Sequence, residues 1–148
     1  MMVATSRTAS IGHRLPNYDG ICSSLHGHNA KFEVCIEVVS FIDFKQIDAR
    51  LGKLTEILDH AMILNYEDPF RKVLQSHDLP KVRVVSLNVD PTTEAMAQLG
   101  FNWMHEVYPR TQSFTVYETD KYSATCCDSE YGDGKVDKPG GPTRIVGL

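Results

Sequence analysis

Three histidines and a cysteine in the first part of the chain have the residue types and spacing of a metal site. His26 and His28 are separated by one glycine, so in an extended strand both imidazoles point to the same side. His13 ends an upstream strand-like segment and can supply a third nitrogen ligand. Catalytic zinc sites commonly use three protein ligands and keep one position for water or substrate. The pattern therefore predicts a catalytic zinc centre, although an H-x-H pair alone is about as often two ordinary histidines.

Cys22 lies a short loop before His26, and two roles fit this position. The pKa of a thiol beside a cation falls below its ordinary value of about 8.5, so Cys22 could act as a thiolate base. It could equally be a fourth ligand and convert the centre into a closed structural site. Spacing does not separate these two interpretations.

Two further acidic positions could take part in proton transfer or ligand recognition. Asp59 and His60 follow a predicted helix, and an aspartate can orient a histidine for acid–base work. Sequence neighbours seldom hydrogen-bond directly, however, and a histidine is also favourable at a helix end. Glu118 continues the inward parity of a predicted strand, where a carboxylate must pair with a cation or accept from the N–H groups of a ligand.

Alternating hydrophobicity predicts the strands that carry these residues. We expect strands over residues 3–13, from His28 to about residue 38, and over residues 113–119. In the second of these, the residues on the apolar face are Phe32, Val34, Ile36 and Val38, with the parity of His26 and His28. Residues 14–25 are predicted to form a loop.

Helical spacing predicts two amphipathic helices. Asp43 is the expected N-cap of a helix over residues 44–58. Asp90 and Pro91 are expected to begin a second helix, whose buried stripe is predicted to be Met96, Leu99, Trp103 and Val107. Thr92 and Thr93 would lie at its N-terminus, where a ligand contact is feasible. Strands paired by hairpin-like or longer connections, together with two helices, favour an antiparallel α+β domain.

Length, charge and cysteine content restrict the class of protein. The 148 residues fit one domain, and the net charge of −4 argues against broad contact with nucleic acid. No segment has the length and hydrophobicity of a signal peptide or membrane span. Four cysteines, two of them adjacent, do not form a disulfide scaffold, so we expect a cytoplasmic protein. Residues 1–128 are predicted to form the domain, and the glycine- and proline-rich residues 129–148 a flexible tail.

Taken in order, these motifs resemble the family of 6-pyruvoyltetrahydropterin and 6-carboxytetrahydropterin synthases. The matching segments are His13-Arg14-Leu15-Pro16, Cys22 with His26-Gly27-His28-Asn29, Ile42-Asp43-Phe44, Leu58-Asp59-His60, Pro91-Thr92-Thr93-Glu94 and Val116-Tyr117-Glu118-Thr119. The resemblance covers roughly residues 3–125. It implies a T-fold, with a four-stranded antiparallel sheet and two helices on one face. It also implies a homo-oligomer, a trimer or hexamer, with active sites between subunits.

The resemblance implies a role for each candidate residue. The implied ligands of Zn²⁺ are His13, His26 and His28. The residues implied to move protons are Cys22 as general base, Asp59, His60 and Glu118. The residues implied to bind the pterin are Glu118 as its anchor, with Thr92 and Thr93 nearby.

The family substrate is 7,8-dihydroneopterin triphosphate. Three residues between Cys22 and the H-x-H pair resemble the branch that forms 6-carboxy-5,6,7,8-tetrahydropterin, acetaldehyde and triphosphate for queuosine and other 7-deazaguanines. We therefore predict a zinc-dependent lyase of that branch. The alternatives are a 6-pyruvoyltetrahydropterin synthase and a non-catalytic zinc- or pterin-binding assembly.

Overall fold

The computed structural model describes residues 1–76, 81–128 and 142–148. Within these residues six strands form one sheet in the order β4-β3-β1-β2-β5-β6. The strands are β1 (Met2–His13), β2 (His26–Glu37), β3 (Ala61–Asn65), β4 (Val84–Leu87), β5 (Thr111–Tyr117) and β6 (Ser123–Cys127). The helices are α1 (Phe44–Leu58), α2 (Pro69–Leu74) and α3 (Thr93–His105), and a single 3-10 turn spans Ile21–Ser23.

The prediction of a four-stranded antiparallel sheet with two helices is wrong in strand number, strand direction and helix number. Strands β1, β2, β5 and β6 do form an antiparallel sheet. Strand β3 adds to β1 in parallel, through Ile11–His13, and β4 adds to β3 in parallel. Both added strands are short apolar runs, which periodicity alone does not distinguish from buried helix.

The local signals for helix α1 are confirmed. The helix spans Phe44–Leu58, and the Asp43 carboxylate accepts from the backbone N–H of Lys45 at its N-terminus. Its apolar positions at helical spacing are all buried: Ile47, Leu51, Leu54 and Leu58.

The second predicted helix begins later than expected. Thr92, and not Asp90, is the N-cap of α3, because the Thr92 hydroxyl accepts from the Ala95 N–H. Val107 lies beyond the end of the helix and is exposed, so it is not part of the buried stripe. This shift leaves the carbonyl of Pro91 outside the helix, where it is available to another residue.

The core lies on one face of the sheet, beneath α1 and α3. It combines the inward residues of β1, β2 and β5 with the apolar faces of both helices in one cluster. The inward parity of β2 continues from Phe32 through Ala30 to His28 and His26. The metal-ligand candidates therefore lie on the same face of the sheet as the core, and not on the opposite face.

The last described residues pack against the edge of the sheet. Ile145 forms an antiparallel bridge with Leu87, and Val146 donates from its backbone to Ser86. Thr143 is buried and its hydroxyl donates to Gln98. Residues 129–141 of the predicted flexible tail lie outside the described residues, so its flexibility stays a prediction. The division at residue 128 stays a prediction.

Candidate metal and active site

Strands β1 and β2 bring the three histidines together at one end of their antiparallel pair. His13 lies directly opposite His26, and His28 lies opposite Ile11. All three share the parity of the core face, so their imidazoles converge, with ring centroids 4.5 to 5.2 Å apart. The register alone produces this cluster, since a shift by one residue would send a ligand to the opposite face.

Backbone carbonyls orient two of the three imidazoles. Nδ1 of His13 lies 2.8 Å from the Pro91 carbonyl oxygen, and Nδ1 of His26 lies 2.8 Å from that of Ser24. A carbonyl only accepts, so each Nδ1 carries the proton and each Nε2 keeps its lone pair. Metal-ligating histidines characteristically donate their second N–H in this way.

His13 is held in the neutral form that a ligand requires. It is 3% exposed, and this burial is the main cause that lowers its pKa. The neighbouring imidazoles of His26 and His28 lower it further, against the opposing effects of the Pro91 carbonyl and of Glu118. A neutral imidazole with a free Nε2 is ready to bind a cation.

Glu118 follows directly after β5 and closes the cluster from the other side. Its Oε1 lies 2.8 Å from Nε2 of His28 and 3.4 Å from Nε2 of His13. Its Oε2 accepts a 2.7 Å hydrogen bond from the hydroxyl of Thr93, in the first turn of α3. The inward carboxylate thus faces imidazole nitrogens and a hydroxyl donor.

Within the described part of the chain, Nε2 of His13 and Nε2 of His28 have no hydrogen-bond partner. Although Nε2 of His28 is close to Glu118, the direction of the contact is not that of a hydrogen bond. Nε2 of His13 is likewise buried with no hydrogen-bond partner among the described residues. Buried polar atoms normally have partners, and a bound cation would provide one here.

One ligand atom from each of four residues lies within 4.8 Å of the others, and these residues are His13, His26, His28 and Glu118. This group could hold a metal ion. It contains the three predicted ligands, and it adds Glu118, which sequence reasoning assigned to the pterin and not to the metal. The sequence signal for Glu118 was its position on the inward face of a predicted strand, where a carboxylate needs a partner. Cys22 does not belong to the group.

Cys22 lies in the 3-10 turn that precedes β2 and is partly exposed. Its carbonyl accepts from the N–H of Leu15, which ties the turn to the segment just after His13. This hydrogen bond holds Cys22 close to the end of β1, in the loop that joins β1 to β2. The roles of base and ligand stay predictions for this thiol.

Asp59 and His60 form a hydrogen-bonded pair, contrary to the expectation for sequence neighbours. Oδ2 of Asp59 lies 2.8 Å from Nδ1 of His60, and Oδ1 accepts from the backbone N–H of Ser10. The Ser10 N–H, followed by the His60 imidazole, lowers the pKa of the Asp59 carboxyl. His60 has φ of 53° and is the one non-glycine residue with positive φ in the described ranges.

The Asp59–His60 pair lies away from the histidine cluster of the same chain. It is attached to Ser10, three residues before His13, or about 10 Å along an extended strand. The His60 imidazole is 79% exposed. The fold of the single chain thus assembles the cluster but leaves this pair at the surface.

The residue before Pro91 is held by a hydrogen bond that the sequence did not predict. Asp90, which was expected to cap α3, instead accepts a 2.7 Å hydrogen bond from Nδ2 of Asn65 at the end of β3. The segment from Asp90 to Thr93 therefore contacts His13 through Pro91 and Glu118 through Thr93. No sequence motif predicts the contact between Asn65 and Asp90, because these residues are far apart in the sequence.

Comparisons with known proteins show the family of this chain. Residues 3–128 match the model of the family described as 6-pyruvoyl tetrahydropterin synthase. A probable 6-carboxy-5,6,7,8-tetrahydropterin synthase of Halobacterium salinarum is 31% identical, over 78% of this chain and 79% of that protein. The 6-carboxy-5,6,7,8-tetrahydropterin synthase of Rickettsia bellii is 30% identical, over 77% of this chain and 81% of that one.

A solved structure shares the fold. The 6-pyruvoyl tetrahydropterin synthase of Caenorhabditis elegans superposes with a TM-score of 0.62 at 20% identity, over 86% of this chain and 94% of that one. At this identity the likeness shows the fold, which is the predicted T-fold. The chain belongs to the 6-pyruvoyl tetrahydropterin synthase family. Its fold is α+β, and its family is one of enzymes. No helix in the described part of the chain has both the length and the hydrophobicity of a membrane span.

Proposed function

We propose that this protein is a zinc-dependent lyase. It would convert 7,8-dihydroneopterin triphosphate and water to 6-carboxy-5,6,7,8-tetrahydropterin, acetaldehyde and triphosphate, as a step towards queuosine and other 7-deazaguanines. The observation that carries the proposal is the convergence of His13, His26, His28 and Glu118. The names of the two relatives and the short spacer after Cys22 favour the carboxy branch.

The residues at the cluster fit zinc. Three imidazoles suit this ion, and His13 and His26 have the tautomer that leaves Nε2 for it. Nε2 of His13 and Nε2 of His28 have no hydrogen-bond partner among the described residues, so each can offer a lone pair to the ion. When bound, zinc supplies a Lewis acid that polarises a hydroxyl oxygen of the substrate.

The protein residues would then bind the pterin and move its protons. We assign Glu118 to the ring N–H donors of the pterin, with its carboxylate oriented by Thr93 and with Thr92 nearby. We assign Cys22 as the base that removes a proton from the carbon next to that hydroxyl. His60, oriented by Asp59, would return a proton to the ring.

We also propose a homo-oligomer, a trimer or hexamer, whose subunits complete one another's sites. Among the described residues, residues 2–9 of β1 pair only with β2, while on the other side β3 covers Ile11–His13 and the Asp59–His60 pair binds Ser10. Among the described strands, β6 lies at the opposite edge of the sheet. Unpaired strand edges of this kind favour pairing with another copy. Assembly would also bring the exposed His60 of one subunit to the cluster of another.

A cytoplasmic location completes the proposal. All four cysteines lie within the described residues, and no disulfide joins any two of them. Reduced thiols are the usual state in the cytoplasm.

The decisive experiment incubates zinc-loaded protein with 7,8-dihydroneopterin triphosphate, identifies pterin products by mass spectrometry and traps aldehyde. Carboxytetrahydropterin with acetaldehyde supports the proposal. Pyruvoyltetrahydropterin without acetaldehyde places the protein in the other branch, which the family description also names. No turnover with zinc bound supports a non-catalytic binding assembly.

Two variants separate the assigned roles. Cys22→Ala should bind zinc normally and lose turnover, and normal turnover would exclude its role as base. Loss of zinc from Cys22→Ala would instead identify the thiol as a structural ligand. Glu118→Gln should retain zinc and lose pterin affinity. Sedimentation of the wild-type protein gives the oligomeric state.

A further inference from the structure

Arg83, which directly precedes β4, contacts the end of helix α1. Its Nη2 donates to the carbonyl oxygens of Glu56 at 2.7 Å and Ile57 at 3.1 Å. Its Nη1 donates to the carbonyl oxygen of Asp59 at 3.2 Å. One guanidinium group therefore binds three carbonyls around the last turn of the helix.

This contact supplies what α1 itself lacks. The last turn of α1 contains no basic residue, and the final carbonyls of a helix have no partner within it. These carbonyls also form the negative end of the helix dipole, which attracts a cation. Arg83 provides both the donors and the charge from a different element of the fold.

The contact of Arg83 with the Asp59 carbonyl also affects the backbone of His60. The carbonyl of Asp59 and the N–H of His60 belong to the same peptide group. Arg83 donates to the carbonyl oxygen of this group, and the His60 N–H donates to the Ser10 carbonyl oxygen at 2.7 Å. Both ends of this peptide group are thus held by elements outside α1.

The peptide group needs this support because His60 is in the left-handed region. Its φ of 53° is unfavourable for an L-residue, and glycine usually occupies this position after a helix. The conformation persists only where surrounding contacts impose it. It is also the conformation in which the imidazole reaches the Asp59 carboxylate.

We propose that Arg83 is a positioning residue. It holds the peptide group between Asp59 and His60 and thereby keeps the imidazole in the orientation required for proton transfer. The catalytic consequence rests on the proposed function, whereas the conformational one does not. Arg83 itself need not contact the pterin.

The activity test compares Arg83→Met with a matched control, Arg50→Met. Arg50 binds the Trp103 carbonyl near the end of α3 through Nε and Nη2, so its loss also removes an arginine from a helix end. Misplacing a catalytic group typically costs up to about 100-fold in rate. We expect Arg83→Met to lower kcat by about 10- to 100-fold with KM and zinc content unchanged, and Arg50→Met to keep kcat. Equal kcat in Arg83→Met and wild type would overturn the proposal.

A second measurement does not depend on turnover. Hydrogen exchange at the His60 amide should be about tenfold faster in Arg83→Met, since a hydrogen bond from a charged donor to the same peptide group is lost. Exchange at this amide should not change in Arg50→Met. Arg83→Lys should give an intermediate rate, because one ammonium cannot reproduce the planar array of donors. Unchanged exchange in Arg83→Met overturns the proposal even if the wild-type protein shows no turnover.

Discussion

The hydroxyl of Thr93 donates a 2.7 Å hydrogen bond to Oε2 of Glu118, while the other carboxylate oxygen faces the histidine cluster. The first turn of α3 therefore orients the carboxylate that follows β5. Since Pro91, two residues earlier, binds His13, the same short segment supports both the metal candidates and the proposed pterin anchor. This arrangement makes the site sensitive to small changes in that segment.

Thr93→Val should weaken pterin binding with little change in zinc content. The substitution keeps the shape of the residue and removes the donor to Glu118, and a hydrogen bond to a charged group is worth ~1.5–3 kcal/mol. We expect KM to rise by roughly tenfold or more, measured by steady-state kinetics. Thr115→Val is the control, since its hydroxyl pairs with Thr125 away from the cluster. A similar KM in Thr93→Val and wild type would show that Glu118 is oriented without Thr93.

His13→Asn should abolish tight zinc binding. It removes a buried ligand candidate whose Nε2 has no partner among the residues described, and ligand loss should cost more than the ~10–100-fold typical of outer-shell partners. Zinc content after dialysis, measured by elemental analysis, checks this. His105→Asn should retain zinc, because His105 stacks on Phe101 and lies outside the group. Full zinc content in His13→Asn would remove this residue from the ligand set.

Gly27→Ala should weaken zinc binding although residue 27 carries no ligand. A Cβ at this position would lie 2.7 Å from the backbone oxygen of Ile11, so β1 and β2 must move apart beside His26 and His28. Overpacking of this kind costs about 1–3 kcal/mol of stability. Thermal unfolding with and without zinc measures both effects.

Gly20→Ala is the matched control for Gly27→Ala. Its Cβ would meet the ring of Tyr18, which is exposed and can move aside. We expect near-normal stability and zinc content. If Gly27→Ala behaved in the same way, the close approach of the two strands would not be needed for the cluster.

Asp59→Asn should give a stability loss that depends on pH. The Ser10 N–H and the His60 imidazole hold the pKa of this carboxyl below its ordinary 3.8, so the charged form stabilises the folded state. The contribution is fully present above pH 3.8 and is lost as pH falls through the lower folded value. Wild-type Tm should therefore exceed that of the variant at pH 7, and the gap should close below pH 3.8.

The comparison is made in the metal-free protein, so that zinc release at low pH does not contribute. A gap in Tm that stays constant down to pH 3 would contradict the assignment. So would a gap that widens as the solution becomes more acidic.

Local patterns in the sequence carried much of the site and part of the fold. Helix α1 and its Asp43 cap follow from spacing and side-group chemistry within a few residues. The alternation along β2 placed His26 and His28 on the core face, and the same parity marked Glu118 as unusual. These features depend on contacts between near neighbours, which a sequence encodes directly.

Contacts between distant residues were decided only by the tertiary structure. The parallel addition of β3 and β4 depends on how short apolar runs pack, not on their periodicity. Helix α3 begins at Thr93, Asp90 pairs with Asn65, and the Pro91 carbonyl between them binds His13.

The same distinction separates the residue types of the site from their geometry. The sequence by itself determined which groups are available for metal binding and proton transfer, because residue types and short spacings are local properties. The tertiary structure decided that Glu118 meets the histidines and that Arg83 reaches the peptide group before His60. Such contacts join positions many residues apart, and they exist only once the strands have paired in one register and the helices have packed on their face.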